Sequence, residues 1–216
     1  MIDAVVFDLD GLLIESEELW ANVREQLARD RGGRYGPEEQ RAMMGMSSPE
    51  WSRYMHEHVG LPESPDEIAH EVVELMADRY RERLPVIDGA VEAVARLASR
   101  WPLGLASSSN RPLIDLVLEL SGLEPLFRAT VSSEEVARGK PAPDVYLEAC
   151  RRLGAEPGRS VAIEDSHAGI GSARAAGMRV VAIPNPSYPP GDEALAGADV
   201  VLGSLAELTP EAVEGS

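Results

Sequence analysis

The sequence predicts an α/β protein: a Rossmann-like parallel sheet with helices on both faces and an all-helical cap inserted after the first strand. Three observations carry this. From residue 86 onward, short apolar runs alternate with amphipathic helical stretches, the pattern of parallel strands joined through crossover helices. Residues 16–85 interrupt that order with helical character and no convincing strand. The length of 216 residues suffices for one α/β core plus a modest insertion. The core is therefore expected to be discontinuous, 1–15 and 86–216, with the cap spanning 16–85.

Residues 2–9, IDAVVFDL, are a short apolar run ending in acids and read as a buried parallel strand. From Ser16 to about Arg31, Leu19, Trp20, Val23 and Leu27 form one helical stripe, and Glu17 and Glu18 suit its first turn. Helical character continues over 37–83, until Pro85 to Gly89 breaks it. The helix VEAVARLAS then leads to a strand at 103–107, a helix at 112–121, a strand at 128–132 and a helix at 143–153. A strand at 160–164, a helix at 167–176 and strands at 179–183 and 198–202 complete the series, with 185–193 a proline-rich loop.

Composition narrows the function. The formal charge of −17 and the pI near 4.6 repel DNA, RNA and anionic lipid, so none is expected as a partner. No apolar run reaches the roughly 18 residues of a membrane span, and the N-terminus lacks the basic region of a signal peptide. Cys150 is the only cysteine, which fits a reducing cytoplasm. An enzyme this acidic that handles phosphate needs local positive charge. Of the 20 basic residues, 19 are arginine and one, Lys140, is lysine. A lysine offers a compact point charge suited to a tight polar pocket.

Four polar groups sit where predicted strands end, the place where ligands of open α/β sheets bind. Asp8-Leu9-Asp10-Gly11 closes the first strand. Carboxylates two residues apart on extended chain point the same way and repel unless a cation joins them or one is protonated; their hard oxygens suit magnesium. Ser107-Ser108-Ser109-Asn110 follows the second strand and offers hydroxyls and N–H groups to an anion. Lys140 lies in a stiff Gly-Lys-Pro-Ala-Pro turn, and Glu164-Asp165 ends a later strand before Ser166 and His167. Each piece alone also reads as a helix cap or a surface turn. The ordered set makes chemical sense together: a carboxylate attacks phosphorus, while a cation and an ammonium neutralise the phosphoryl oxygens.

The order DLDGLLIESE, LASSSN, EVARGKPAPDVYLEA and IEDSHAGIGSARAAGM resembles the four motifs of the haloacid-dehalogenase-like superfamily, over nearly the whole core. The insertion after the first motif resembles the helical cap of its β-phosphoglucomutase and sugar-phosphatase branch. The resemblance implies Asp8 as nucleophile and Asp10 as general acid/base. It implies Ser107, Ser108 and Lys140 as phosphoryl holders, and Mg²⁺ bound by Asp8, the Asp10 main-chain carbonyl, Asp165 and Glu164. An acid at Asp10, which the dehalogenases lack, implies phosphoryl transfer. Residues near Glu15 and Leu84–Ile87 are expected to act as cap hinges.

Mutases of the branch carry a histidine where this chain has Trp20, and cationic hooks around the glycine matching Gly45. Here those places hold Met44 and Ser47-Ser48, which favours a phosphatase acting on a small sugar or polyol phosphate with an uncharged tail. Arg41 and Arg53 remain as cap cations able to reach the site. The segment from Leu12 through Trp20 looks closer to the 2-deoxyglucose-6-phosphate and hexitol-phosphate phosphatases. Ser16, Trp20 and Gly45 are the candidate cap contacts to substrate; Trp20 reads first as core packing and second as a platform for a sugar face. The alternatives are a β-phosphoglucomutase-like phosphomutase and, from another class, a receiver-like phosphoacceptor that does not turn over. The expected assembly is a monomer or a weak homodimer.

Overall fold

The computed structural model describes residues 1–43 and 46–215. β1 (Ala4–Phe7) is followed by α1 (Glu17–Asp30), α2 (Pro37–Met43), α3 (Ser48–Tyr54), a π turn (Met55–Val59) and α4 (Pro65–Glu82). The chain then runs through α5 (Ala90–Ala98), β2 (Leu103–Ser107), α6 (Arg111–Ser121), β3 (Phe127–Ser132), α7 (Asp144–Leu153), β4 (Ser160–Glu164) and α8 (His167–Ala175). β5 (Arg179–Ala182), α9 (Asp192–Leu195), β6 (Val200–Val201) and α10 (Pro210–Glu214) complete it.

The six strands pair in parallel in the order β3-β2-β1-β4-β5-β6. β1 is central: Phe7 sits beside Leu105 of β2 and Ile163 of β4. The chain winds outward from β1 through β2 and β3 and returns to β4 on the other side of β1, so a crevice opens at the carboxyl ends of β1 and β4. Alternation along β1 splits the core. Val5 and Phe7 pack with Val94 of α5 and Val117 of α6 on one face, and Val6 packs with Ala149 of α7 and Ile170 of α8 on the other.

The helical block differs from a continuous run over 37–83 because two capping boxes cut it. The Ser47 and Ser64 backbone N–H groups donate to the carboxylates of Glu50 and Glu67, at 2.8 and 2.9 Å, satisfying donors that a helix start leaves open. Leu27, Trp51, Ile68 and Val72 of these helices join the same apolar cluster as Val5 and Phe7. Two chain segments connect the block to the sheet side by side. Ile14 bridges Val86 antiparallel, the Glu15 N–H donates to the Pro85 carbonyl at 2.8 Å, and the Ile87 N–H donates to the Leu13 carbonyl at 2.9 Å. The last strand is shorter than the sequence suggests: at Asp199 the backbone N–H still donates to the Val180 carbonyl at 2.8 Å, but the Val180 N–H is taken by the Asp199 carboxylate, also at 2.8 Å, instead of by a backbone carbonyl. No described helix is long and apolar enough to cross a membrane.

Candidate active site

The carboxyl ends of β1, β2 and β4 bring three of the four motifs to one place, and the turn before α7 adds the fourth. The ladder carries Asp8 out beside β4, its N–H donating to the Ile163 carbonyl at 3.0 Å. The chain then turns tightly, the Gly11 N–H reaching the Ile14 carbonyl at 2.8 Å. Gly11 has φ +81°, and a Cβ there would overlap the Asp165 carboxylate, so this turn needs glycine. Asp10 is gripped by hydroxyls: Ser16 donates to Oδ1 at 2.6 Å, while Ser109 and Ser107 donate to Oδ2 at 2.7 and 3.3 Å.

Lys140, whose side chain is 4% exposed, donates to Asp8 Oδ1 at 2.6 Å and Glu164 Oε1 at 2.5 Å. The Tyr146 hydroxyl also donates to Glu164 Oε1, at 2.7 Å. The other Glu164 oxygen accepts from the backbone of Asp165 and Ser166 and from the Ser166 hydroxyl. Asp8, Asp10, Ser108, Lys140 and Asp165 border one open cavity, flanked by His167 and Tyr188. This geometry joins an acid pair, a hydroxyl loop, a lysine and a second acid pair in sequence order. Residues 5–183 match the haloacid dehalogenase-like hydrolase family.

The chain belongs to that family. Hexitol phosphatase B of Escherichia coli K12 is 35% identical to this hydrolase over 98% of its chain and 96% of the relative. Validoxylamine A 7'-phosphate phosphatase of Streptomyces hygroscopicus subsp. limoneus is 34% identical over 96% of each. The crystal structure of CbbY from Rhodobacter sphaeroides in complex with phosphate superposes with a TM-score of 0.89 at 27% identity, covering both chains in full.

The hydrolase's buried charges are mutually dependent. Burial pushes the Asp8 carboxyl up to about 7, with Lys140 opposing and Glu164 and Asp10 adding to the rise. Burial, then Asp8 and Glu164, holds Asp165 well above the usual carboxylate range. Burial alone would lower the Lys140 ammonium, but Asp8 and Glu164 overcome it and hold it above its ordinary value. Three acids thus share one internal lysine. Asp8, Glu164 and Asp165 each offer an oxygen within 4.8 Å of the others, and the buried Asp165 Oδ1 has no hydrogen-bond partner. An orphaned carboxylate oxygen among hard donors fits a divalent cation.

Some expected contacts fall elsewhere. Ser107 is wholly buried, occupied by Asp10 and by the Ser109 N–H, and Ser108 borders the cavity instead. Ser16 binds Asp10 and lines neither cavity wall. Gly45 and Met44 lie outside the described residues. Trp20 is both packed, its ring centroid 6.0 Å from that of Trp51, and on the wall of a second cavity that runs from Asp10 and Ser108 into the helical block.

Arg41 and Arg53 are the cap cations expected from the sequence to reach the site. Both are exposed and border neither cavity, whereas Arg24 of α1 is buried in the second one. Sequence reading also missed Ser109 and Tyr146. Ser109 had a signal only in its place in the run Ser107-Ser108-Ser109; the turn after β2 brings it and Ser107 together on Asp10.

Gly169 carries a testable consequence. A Cβ there would overlap the Glu164 carboxylate. Gly169→Ala is expected to displace Glu164 and lower stability by about 1–3 kcal/mol, read as a lower urea midpoint with a fall in activity. An unchanged midpoint would mean that Glu164 has room to move.

Proposed function

We propose that this hydrolase is a Mg²⁺-dependent phosphatase for a small phosphorylated sugar or polyol, acting through an aspartyl-phosphate on Asp8. The observation that carries the reading is Asp8 itself: a buried carboxylate on the cavity wall, held by Lys140 at 2.6 Å and next to the orphaned Asp165 oxygen. A nucleophile must be ionised to attack, and Lys140 favours that state against burial. An Asp8 oxygen forms the new bond to phosphorus as the ester P–O bond breaks, and Asp10 gives its proton to the leaving oxygen. Asp10 then takes a proton from water, which attacks the aspartyl-phosphate and frees inorganic phosphate and Asp8.

Ser108 and Lys140 bind the phosphoryl oxygens, and Ser107, Ser109 and Ser16 aim Asp10. Asp8, Asp165 and the Asp10 carbonyl would hold the metal, with Glu164, whose two oxygens are already engaged, anchoring Lys140 beside it. Magnesium, when bound, supplies positive charge against the phosphoryl oxygens. We read residues 16–85 as a cap that turns on the paired segments at Glu15 and Leu84–Ile87 to exclude water.

The test is phosphate release from a panel of sugar and polyol phosphates with Mg²⁺, beside an Asp8→Asn control, with β-glucose 1-phosphate and a bisphosphate primer included. Release that needs both Mg²⁺ and Asp8 supports the phosphatase. Isomerisation without release would make it a mutase, and a stable phosphoprotein without turnover would make it a receiver-like acceptor.

Metal linkage gives a second expected result. Asp8 and Asp165 titrate higher folded than unfolded, so the metal-free protein loses stability as pH rises from the ordinary carboxylate range toward about 7. A cation that favours the ionised acids offsets the loss. Mg²⁺ is expected to raise the Tm more at pH 8 than at pH 5, and equal gains would place the metal away from these acids.

A further inference from the structure

α1 presents a guanidinium and a carboxyl to the second cavity, the carboxyl pushed up to about 7 by burial and then by Asp10. Glu17 and Arg24 are seven residues apart, two helical turns, and therefore share a face. Both border the cavity whose other wall carries Asp10 and Ser108, so whatever is attached to a phosphoryl group at Asp8 extends past them. Arg24 is 8% exposed. Its guanidinium carbon lies 4.8 Å from the ring centroids of both Trp20 and Trp51, two rings inclined at 57° that form an angled seat.

The two groups do not close on each other. Among the described residues neither Glu17 nor Arg24 enters an ion pair, and the buried Arg24 Nε has no hydrogen-bond partner. The Tyr35 hydroxyl lies beside Arg24 and lends it only a poorly aligned contact, which leaves the buried Nε without a hydrogen bond. A buried donor without a partner is costly, so the cavity is built for a ligand that supplies one.

The chemistry of that ligand follows from the pair. A hydroxyl donates one hydrogen bond and accepts others, so neighbouring hydroxyls can accept from Arg24 and donate to Glu17 while adding no charge. An oxyanion would satisfy Arg24 but stand against both Glu17 and Asp10, and an alkyl chain would leave both groups unsatisfied. We propose that Arg24 and Glu17 form a hydroxyl-reading subsite that selects phosphomonoesters with an uncharged, polyhydroxylated tail. This rests on the phosphatase reading and adds the residues that set its specificity.

The test compares three six-carbon phosphomonoesters with the Mg²⁺-loaded enzyme: hexitol 6-phosphate, hexyl phosphate, and the 6-phosphate of an aldonic acid, whose tail ends in a carboxylate. The wild type is expected to favour the hexitol ester over both others in kcat/KM. Arg24→Met is expected to shrink the hexitol-to-hexyl ratio at least about tenfold, chiefly through KM, and Glu17→Gln to shrink it by less. Arg24→Lys, which keeps the charge but loses the fork, guards against misfolding of the Met variant and is expected to shrink the ratio as well. A ratio unchanged in Arg24→Lys and Arg24→Met overturns the proposal. So does a wild-type preference for the aldonic ester that Arg24→Met abolishes, which would make Arg24 an oxyanion receptor.

If the wild type turns over none of the three, the panel of sugar and polyol phosphates decides the phosphatase reading, and tryptophan fluorescence decides the subsite. Quenching by the hexitol ester alone, lost in Arg24→Lys, supports it; equal quenching by all three, or none, overturns it.

Discussion

Asp8→Asn is expected to lower the rate of phosphate release by roughly four to six orders of magnitude, the scale seen when a nucleophile is removed. The fold should survive the change. Burial pushes the Asp8 carboxyl up to about 7 against the pull of Lys140, with Glu164 and Asp10 adding to the rise. At pH 8 the wild type holds it ionised against those pressures, whereas asparagine has no charge to hold. Lys140 keeps Glu164 as its partner. The metal-free variant is therefore expected to melt no lower than the metal-free wild type at pH 8, while gaining less Tm from Mg²⁺. Residual turnover within tenfold of wild type would remove Asp8 from the nucleophile role. A lower Tm at pH 8 would mean that the Asp8–Lys140 pair stabilises the site more than the like charges strain it.

Lys140→Met should cost both stability and activity. Removing the shared ammonium leaves Asp8 and Glu164 without their common counter-charge, and taking one partner from a buried charge pair costs about 3–5 kcal/mol. The loss must depend on pH. Without the lysine the folded Asp8 carboxyl titrates higher still, so the variant approaches the wild type near pH 5, where Asp8 is protonated, and falls behind as pH rises toward 8. Thermal midpoints at the two values test this: a deficit equal at both would mean that Lys140 contributes packing rather than charge. Activity should fall too, since the remaining Ser108 contact to the phosphoryl group is uncharged.

Much of the fold and of the reaction centre was legible because both are written locally. Each strand is a compact apolar run, and three of the motifs are strings at the end of one strand, so Asp8 and Asp165 needed only the rule that parallel strands converge at their carboxyl ends, while Lys140 stood out as the sole lysine in a stiff turn before α7. Partner choice was not legible. Glu164 and Asp165 are adjacent in sequence, yet one turns to Lys140 and Tyr146 while the other keeps an unpartnered oxygen; nothing in the string IEDS distinguishes them. The three serines raised the same difficulty. Ser107 and Ser109 turn to Asp10 and only Ser108 borders the catalytic cavity, a division set by the turn after β2. Arg24 was hidden for a different reason. In α1 it falls between the apolar positions Val23 and Leu27, and reads as a solvated helix arginine until Trp20 and Trp51 are brought around it by packing.

The scarcity of lysine has a practical corollary. The chain's only ε-amine belongs to Lys140, and that side chain is 4% exposed. Amine-directed acylating reagents therefore find no lysine on the folded surface, and cross-linkers of that chemistry have no lysine there to join. Modification of this one nitrogen requires it to leave Asp8 and Glu164, so its labelling rate reports how often that pairing breaks. Mg²⁺ and a bound phosphate analogue are each expected to slow that labelling, giving a single-atom clock for motions that no engineered probe is needed to follow.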